Sequence, residues 1–138
     1  MTPEKIALVK DTWKLVLPIK ETAAQLFYGQ LFVLDPSLRS MFKGDMVEQG
    51  RKLMAMINTV VVSLDNLGPI LGRIEDLGRG HVAYGVKEAH YDTVGSALLW
   101  TLGQGLGPQF TPAVKDAWAE AYTTLASAMK QAAYAPAQ

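Results

Sequence analysis

The chain has 138 residues, 49% of them hydrophobic and 19% charged, and its 13 basic and 13 acidic side chains balance to a formal net charge of zero. That is the size of one compact domain able to bury about 70% of its unfolded surface, and it is too apolar to be disordered. No basic block points to nucleic acid or an anionic membrane, and the lack of cysteine excludes disulfides, thiolate metal sites, a cysteine nucleophile and thioether-linked cofactors.

The opening MTPEKIALVKD is charged at once and carries no apolar signal core. No uncharged run approaches the ~18 residues of a membrane span. A cytoplasmic protein with no nucleic-acid or membrane partner is therefore expected. Thr2-Pro3 predicts an N-cap with proline in the first helical position, where its missing N–H costs nothing. Ile6, Val9, Trp13 and Val16 then recur at helical spacing up to Pro18. A second helix runs through IKETAAQLFYGQLFVL, with Phe27, Leu31 and Leu34 on one face and Tyr28 beside it.

Asp35-Pro36 repeats the start signal for a short helix ending near Phe42, and KGDM turns the chain. A long helix over residues 47–65 buries Leu53, Ile57, Val60 and Leu64, until DNLGP breaks it. ILGRIEDLGRGHVAYG reads as a shorter helix weakened by glycine. KEAHYDTVGSALLWTLGQGLGP reads as another, stopped by Gly107-Pro108. Thr111-Pro112 caps the last helix, striped by Val114, Trp118, Tyr122, Leu125 and Met129. Residues 134–138 are expected to fray. With no β alternation, repeat or linker, residues 1–133 form one all-α domain of about seven helices.

The chain holds two histidines, His81 and His90. Protein-only metal sites need three or four ligands, and these two flank a helix break with no HExxH or ExxH partner. A Ser-His-Asp arrangement stays open, although no GxSxG elbow is present. No phosphate-loop motif occurs, and GQGLG at a helix end is a stop signal. Haem is the cofactor that needs a single protein ligand, because the porphyrin fills four positions, so an imidazole and an apolar slot suffice. His81, four residues after Leu77 on a glycine-containing helix, suits that role. The bland reading is a hydrogen-bonded histidine in a cofactor-free helical interaction domain.

Taken together and in order, LFYGQLF, DPSLRSMF, EQGRKLM, LGRGHVAYGVKEAHYDTVG and DAWAEAY resemble the bacterial single-domain globins over nearly the whole chain. The six residues from Pro36 to Phe42 and the 32 from Gln49 to His81 match the flavohaemoglobin-like pattern. Within the family, the short turn after Phe42 is similar to that of the Hell's Gate type found in methanotrophs.

The resemblance implies a globin fold, three helices packed on three around haem b. His81 would be the proximal iron ligand. Phe42 would pack on the porphyrin, Leu53, Leu77, Val86 and Val94 would line the slot, and Lys52 would either pair with a propionate or face water. Tyr28 and Gln49 would lie on the distal side as hydrogen-bond donors to dioxygen, whose outer oxygen gains partial negative charge on ferrous iron. His90 would be structural. Tyr91 matches a tyrosine that in flavohaemoglobins joins a glutamate of the last helix in supporting the proximal histidine. No acidic residue follows Glu120 here, so that carboxylate is missing and peroxidase-like chemistry is expected to be weaker.

The activity implied is reversible binding of dioxygen and other diatomic ligands with oxidation of nitric oxide to nitrate. Since the chain ends where a reductase would begin, electrons are expected from a separate reductase. The alternative is a non-enzymatic oxygen or sulfide binder acting in storage or sensing.

Overall fold

A computed structural model describes residues 1–42, 44–83 and 86–134, and its described residues form six α-helices joined by short 3-10 turns. These are α1 (Pro3–Val16), α2 (Lys20–Leu34), α3 (Met46–Val62), α4 (Leu71–Ala83), α5 (Glu88–Leu106) and α6 (Pro112–Tyr134). The seventh expected helix, Pro36–Met41, is a 3-10 segment. Six residues between Asp35 and an extended Phe42 leave room for little more than one turn. The expected turn at Lys43 and the expected helix end at residues 84–85 lie outside the described residues. Of the tail expected to fray at 134–138, Tyr134 is the last residue of α6, while 135–138 lie outside the described residues.

The start signals operate as their chemistry requires. Thr2 Oγ1 accepts the Lys5 N–H at 3.2 Å with Pro3 in the first turn, and Thr111 Oγ1 accepts the Val114 N–H at 3.3 Å. Asp35 accepts the Ser37 N–H at 3.1 Å and its hydroxyl at 2.6 Å. One cap was not foreseen. Asp45 accepts the Val47 N–H at 2.9 Å, so α3 begins at Met46. Residues 63–65 form a turn, so α3 stops at Val62 rather than at 65. Gly107, with φ of 54°, ends α5 in the left-handed region that glycine enters without steric cost. Leu34, expected beside buried Phe27 and Leu31, is 45% exposed because it is the last residue of α2.

The helices stack in two layers, α1, α3 and α4 on α2, α5 and α6, with α4 against α6 and α2 against α5 as the most extensive pairs. The largest core cluster joins α1, α3, α5 and α6 through Val9, Trp13, Val16, Leu102 and Trp118. Its two indoles are satisfied by other helices: Trp13 Nε1 donates to Asn58 Oδ1 at 2.9 Å within one layer, and Trp118 Nε1 to Thr12 Oγ1 at 2.8 Å across the layers. Buried indole N–H groups need such partners, and these fix α1 to α3 and to α6.

At two crossings a glycine faces the backbone or Cβ of the neighbouring helix too closely to carry a side chain. A Cβ on Gly50 would lie 2.9 Å from Ala24 Cβ, where α3 crosses α2. A Cβ on Gly78 would lie 2.5 Å from the carbonyl oxygen of Met129 and 2.8 Å from its Cα, so α4 rests directly on the backbone of α6. Gly78→Ala must push two backbones apart and is expected to cost about 1–3 kcal/mol. Gly72→Ala, whose Cβ meets nothing within 4 Å on the same helix, should be neutral or stabilise by up to about 1 kcal/mol. Urea unfolding midpoints of the two variants are expected to move in opposite directions.

Candidate cofactor site

His81 lies in the last turn of α4, three residues beyond the crossing at Gly78, and its carbonyl accepts the Val86 N–H at 2.9 Å. Its ring nitrogen Nδ1 is enclosed with no hydrogen-bond partner among the described residues. Burial lowers the pKa of the imidazole below its usual value, because desolvation penalises the charged form. The ring is therefore a neutral imidazole at neutral pH, the protonation state that ligates a metal. Among the described residues its ring neighbours Tyr91, with centroids 6.2 Å apart at 56°.

The residues expected around it fall into two apolar clusters. Tyr28, Phe42, Leu53 and Val94 pack with Phe27, Leu31, Leu38 and Ala97. Leu77, Val86 and Tyr91 pack with Ile74, Ala126 and Met129. Phe42, Leu53, Leu77, Val86, Val94 and His81 are all only half-buried, whereas Leu31, Ile74 and Ala97 beside them are fully enclosed. Half-buried apolar side chains around an imidazole without a hydrogen bond are the lining that a flat, mostly apolar cofactor with one protein ligand requires. Among the described residues no group of three or more metal-ligating side chains exists, so a metal held by protein ligands alone does not fit, and haem does.

On the other side, Tyr28 is 9% exposed and meets the rings of Phe27, Phe32 and Phe42 at centroid distances of 5.1, 6.2 and 5.3 Å. Its hydroxyl is 3.5 Å from the Gln49 carbonyl, well beyond the 2.7–2.8 Å usual for such bonds. The donor is thus weakly committed. Gln49 is half-buried in the first turns of α3, and Lys52 is exposed on the same helix. A groove of about 970 Å³ runs between α2 and α3, with Tyr28, Phe32, Phe42, Gly50 and Met54 in its wall. It touches the distal aromatic group but neither His81 nor the Leu77 cluster.

His90 caps a helix. Its Nδ1 accepts the Lys87 N–H at 2.9 Å, at the start of α5, and its Nε2 is 3.8 Å from Asp35 Oδ2. Three contributors were not foreseen. Phe32 packs on Phe42 at 5.5 Å, with the Arg39 guanidinium 5.6 Å from the Phe32 ring centre. Gly95 gives way to the Tyr122 ring, 2.8 Å from where a Cβ would stand, and the Tyr122 hydroxyl donates to the Tyr91 carbonyl at 2.6 Å. Lys130 places its ammonium 5.4 Å from the Tyr91 ring centre. The spacing of Tyr122 in its helix stripe was visible, but its partner on another helix was not.

An all-helical two-layer fold with a half-buried, neutral histidine beside half-buried apolar side chains is an arrangement that fits a haem protein. The chain belongs to the globin family, whose profile matches residues 25–129. It is 32% identical to neuroglobin of Danio rerio over 88% of this chain and 86% of that protein. It is 31% identical to a flavohemoprotein of Xylella fastidiosa over 94% of this chain, which spans only 33% of that longer protein. Its fold is similar, with a TM-score of 0.87 and 25% identity over 96% of this chain and 93% of the other, to an engineered carbene transferase from Rhodothermus marinus described as a candidate nitric oxide dioxygenase. The fold is the globin fold, haem is its cofactor class and diatomic gases are its ligand class. No helix among the described residues is long and apolar enough to cross a membrane.

Burial raises the Tyr28 pKa to about 12. The phenol therefore stays protonated, and a donor, throughout the neutral range. In the unfolded chain it ionises near 10, so the unfolded state releases this proton first and stability must fall as pH rises from about 10 toward 12. Tyr28→Phe is expected to flatten the alkaline limb of an unfolding free energy versus pH curve, with the curves parallel below pH 9.

Proposed function

We propose that this globin binds haem b through His81 and oxidises nitric oxide to nitrate, with electrons from a separate reductase. The observation that carries the reading is the half-buried, neutral His81 imidazole whose Nδ1 has no hydrogen-bond partner among the described residues, and the protonated, weakly committed Tyr28 hydroxyl supports it. Bound haem would supply reversible dioxygen binding and the reaction with nitric oxide. The protein's own groups do the rest. His81 offers a neutral imidazole nitrogen, while Phe42, Leu53, Leu77, Val86 and Val94 exclude water from either face of the ring. Lys52, exposed on α3, would either meet a propionate or face water.

Tyr28 and Gln49 would offer an O–H and an amide N–H to a bound diatomic gas, in surroundings where desolvation strengthens such bonds. Ligands held that way leave slowly, which suits a reaction with a second gas molecule better than transport. The names of the flavohemoprotein relative and the Rhodothermus protein support the nitric oxide reaction. A cytoplasmic setting with a separate nicotinamide-dependent reductase goes with it. The short span between Phe42 and Met46 supports placing the chain with the Hell's Gate type, and the helices from Pro3 onward support one domain over residues 1–133.

A hydrogen bond to a charge-bearing acceptor contributes about 1.5–3 kcal/mol, so Tyr28→Phe should speed oxygen dissociation roughly 10- to 150-fold. Stopped-flow displacement by carbon monoxide measures it, and a change within a few-fold of wild type would remove Tyr28 from the site. Sustained nitric oxide consumption with a nicotinamide-linked reductase is expected. A single stoichiometric burst under those conditions would favour the storage or sensing alternative.

A further inference from the structure

Tyr91 has the imidazole of His81 at 6.2 Å from its ring centre and the ammonium of Lys130 at 5.4 Å. By those two distances the ammonium lies within about 12 Å of the imidazole centre. Lys130 is half-buried on α6, next to Met129, whose backbone meets Gly78 of α4. The face of a tyrosine ring attracts a cation, so the long, otherwise mobile side chain is held over it. The ammonium shares a small crevice with Asp92 and Tyr122, yet no salt bridge to Lys130 occurs among the described residues, and Asp92 is exposed to solvent that screens it. Lys130 therefore acts as a fixed positive charge on the His81 side of the site.

We propose that Lys130, held over the Tyr91 ring, is a positioning residue that raises the reduction potential of iron ligated by His81. The inference rests on the haem reading above. Ferric iron takes up one electron to become ferrous and loses one unit of positive charge, so a fixed cation nearby favours the ferrous form. Taking an assumed charge separation of about 14 Å, just outside that upper bound of about 12 Å, and an effective dielectric of roughly 20–40, removing the cation lowers the ferrous-to-ferric ratio at a set potential about threefold to sevenfold. For a one-electron couple that is about 30–50 mV. The protein would thereby stay reduced with a weaker electron donor, which matters for a globin that draws electrons from a separate reductase.

The test is spectroelectrochemical titration of the haem-loaded protein at pH 7 and low salt, comparing wild type with Lys130→Met, Lys130→Arg and Lys130→Glu. Methionine keeps an apolar side chain over the ring, and arginine keeps the charge. The midpoint is expected to fall by about 30–50 mV in Lys130→Met, by about twice that in Lys130→Glu, and to stay near wild type in Lys130→Arg. The differences should shrink at high salt. Equal midpoints in wild type, Lys130→Met and Lys130→Glu would overturn the proposal, and so would a drop in Lys130→Arg as large as in Lys130→Met. If one variant fails to fold, the remaining two still decide it. A wild-type protein that takes up no haem would overturn the haem reading and this inference together, whereas a haem-loaded wild type with unshifted variants would overturn this inference alone.

Discussion

The site depends on the contact in which Gly78 of α4 rests on the backbone of Met129 in α6. No other residue allows that approach, because a Cβ would stand 2.5 Å from the Met129 carbonyl oxygen. The crossing sets both the depth and the rotation of α4, and so determines where His81, three residues further on, directs its ring. It also brings Lys130, the residue after Met129, to the same end of the bundle as the imidazole. One glycine thus aligns a ligand from one layer with a charge from the other. The Gly50–Ala24 crossing does the equivalent for Tyr28 and Gln49, drawing α3 onto α2 so that the phenol reaches the α3 backbone.

The electrostatics on the two sides of the site follow from burial. Desolvation lowers the His81 pKa and raises that of Tyr28, and both shifts favour the neutral forms. A neutral imidazole is a ligand and a neutral phenol is a donor, so the same apolar surroundings prepare two different roles. His90, nine residues from His81, shows the contrast. Its Nδ1 is committed to the Lys87 N–H, and it serves as a helix cap.

Much of this was legible in the sequence because the punctuation is local. Thr2-Pro3, Asp35-Pro36, Thr111-Pro112 and Gly107 each act within a few residues of chain, and caps of that kind depend on little else. The segment Pro36–Met41 was read as a short helix and is 3-10, since its length permits one turn and its signals say only where it starts. Leu34 was read as buried from its spacing, but a helix terminus escapes the packing that its periodic position suggests. The roles expected of His81, Tyr28 and Phe42 came from a resemblance in motif order and spacing, which carries long-range information that periodicity lacks. Lys130, Gly95 and the Tyr122–Tyr91 bond were missed because each depends on a contact between α5 and another helix, and nothing local in AMKQ or DTVG marks it.

The central claim is that His81 ligates haem iron, and the absorption spectrum of the purified protein, reduced with dithionite and exposed to carbon monoxide, tests it most directly. The account predicts a sharp, shifted Soret band that is lost in His81→Gly and restored there by added imidazole. A wild-type band retained unchanged in His81→Gly without imidazole would contradict it, as would folded protein showing no haem band after addition of hemin.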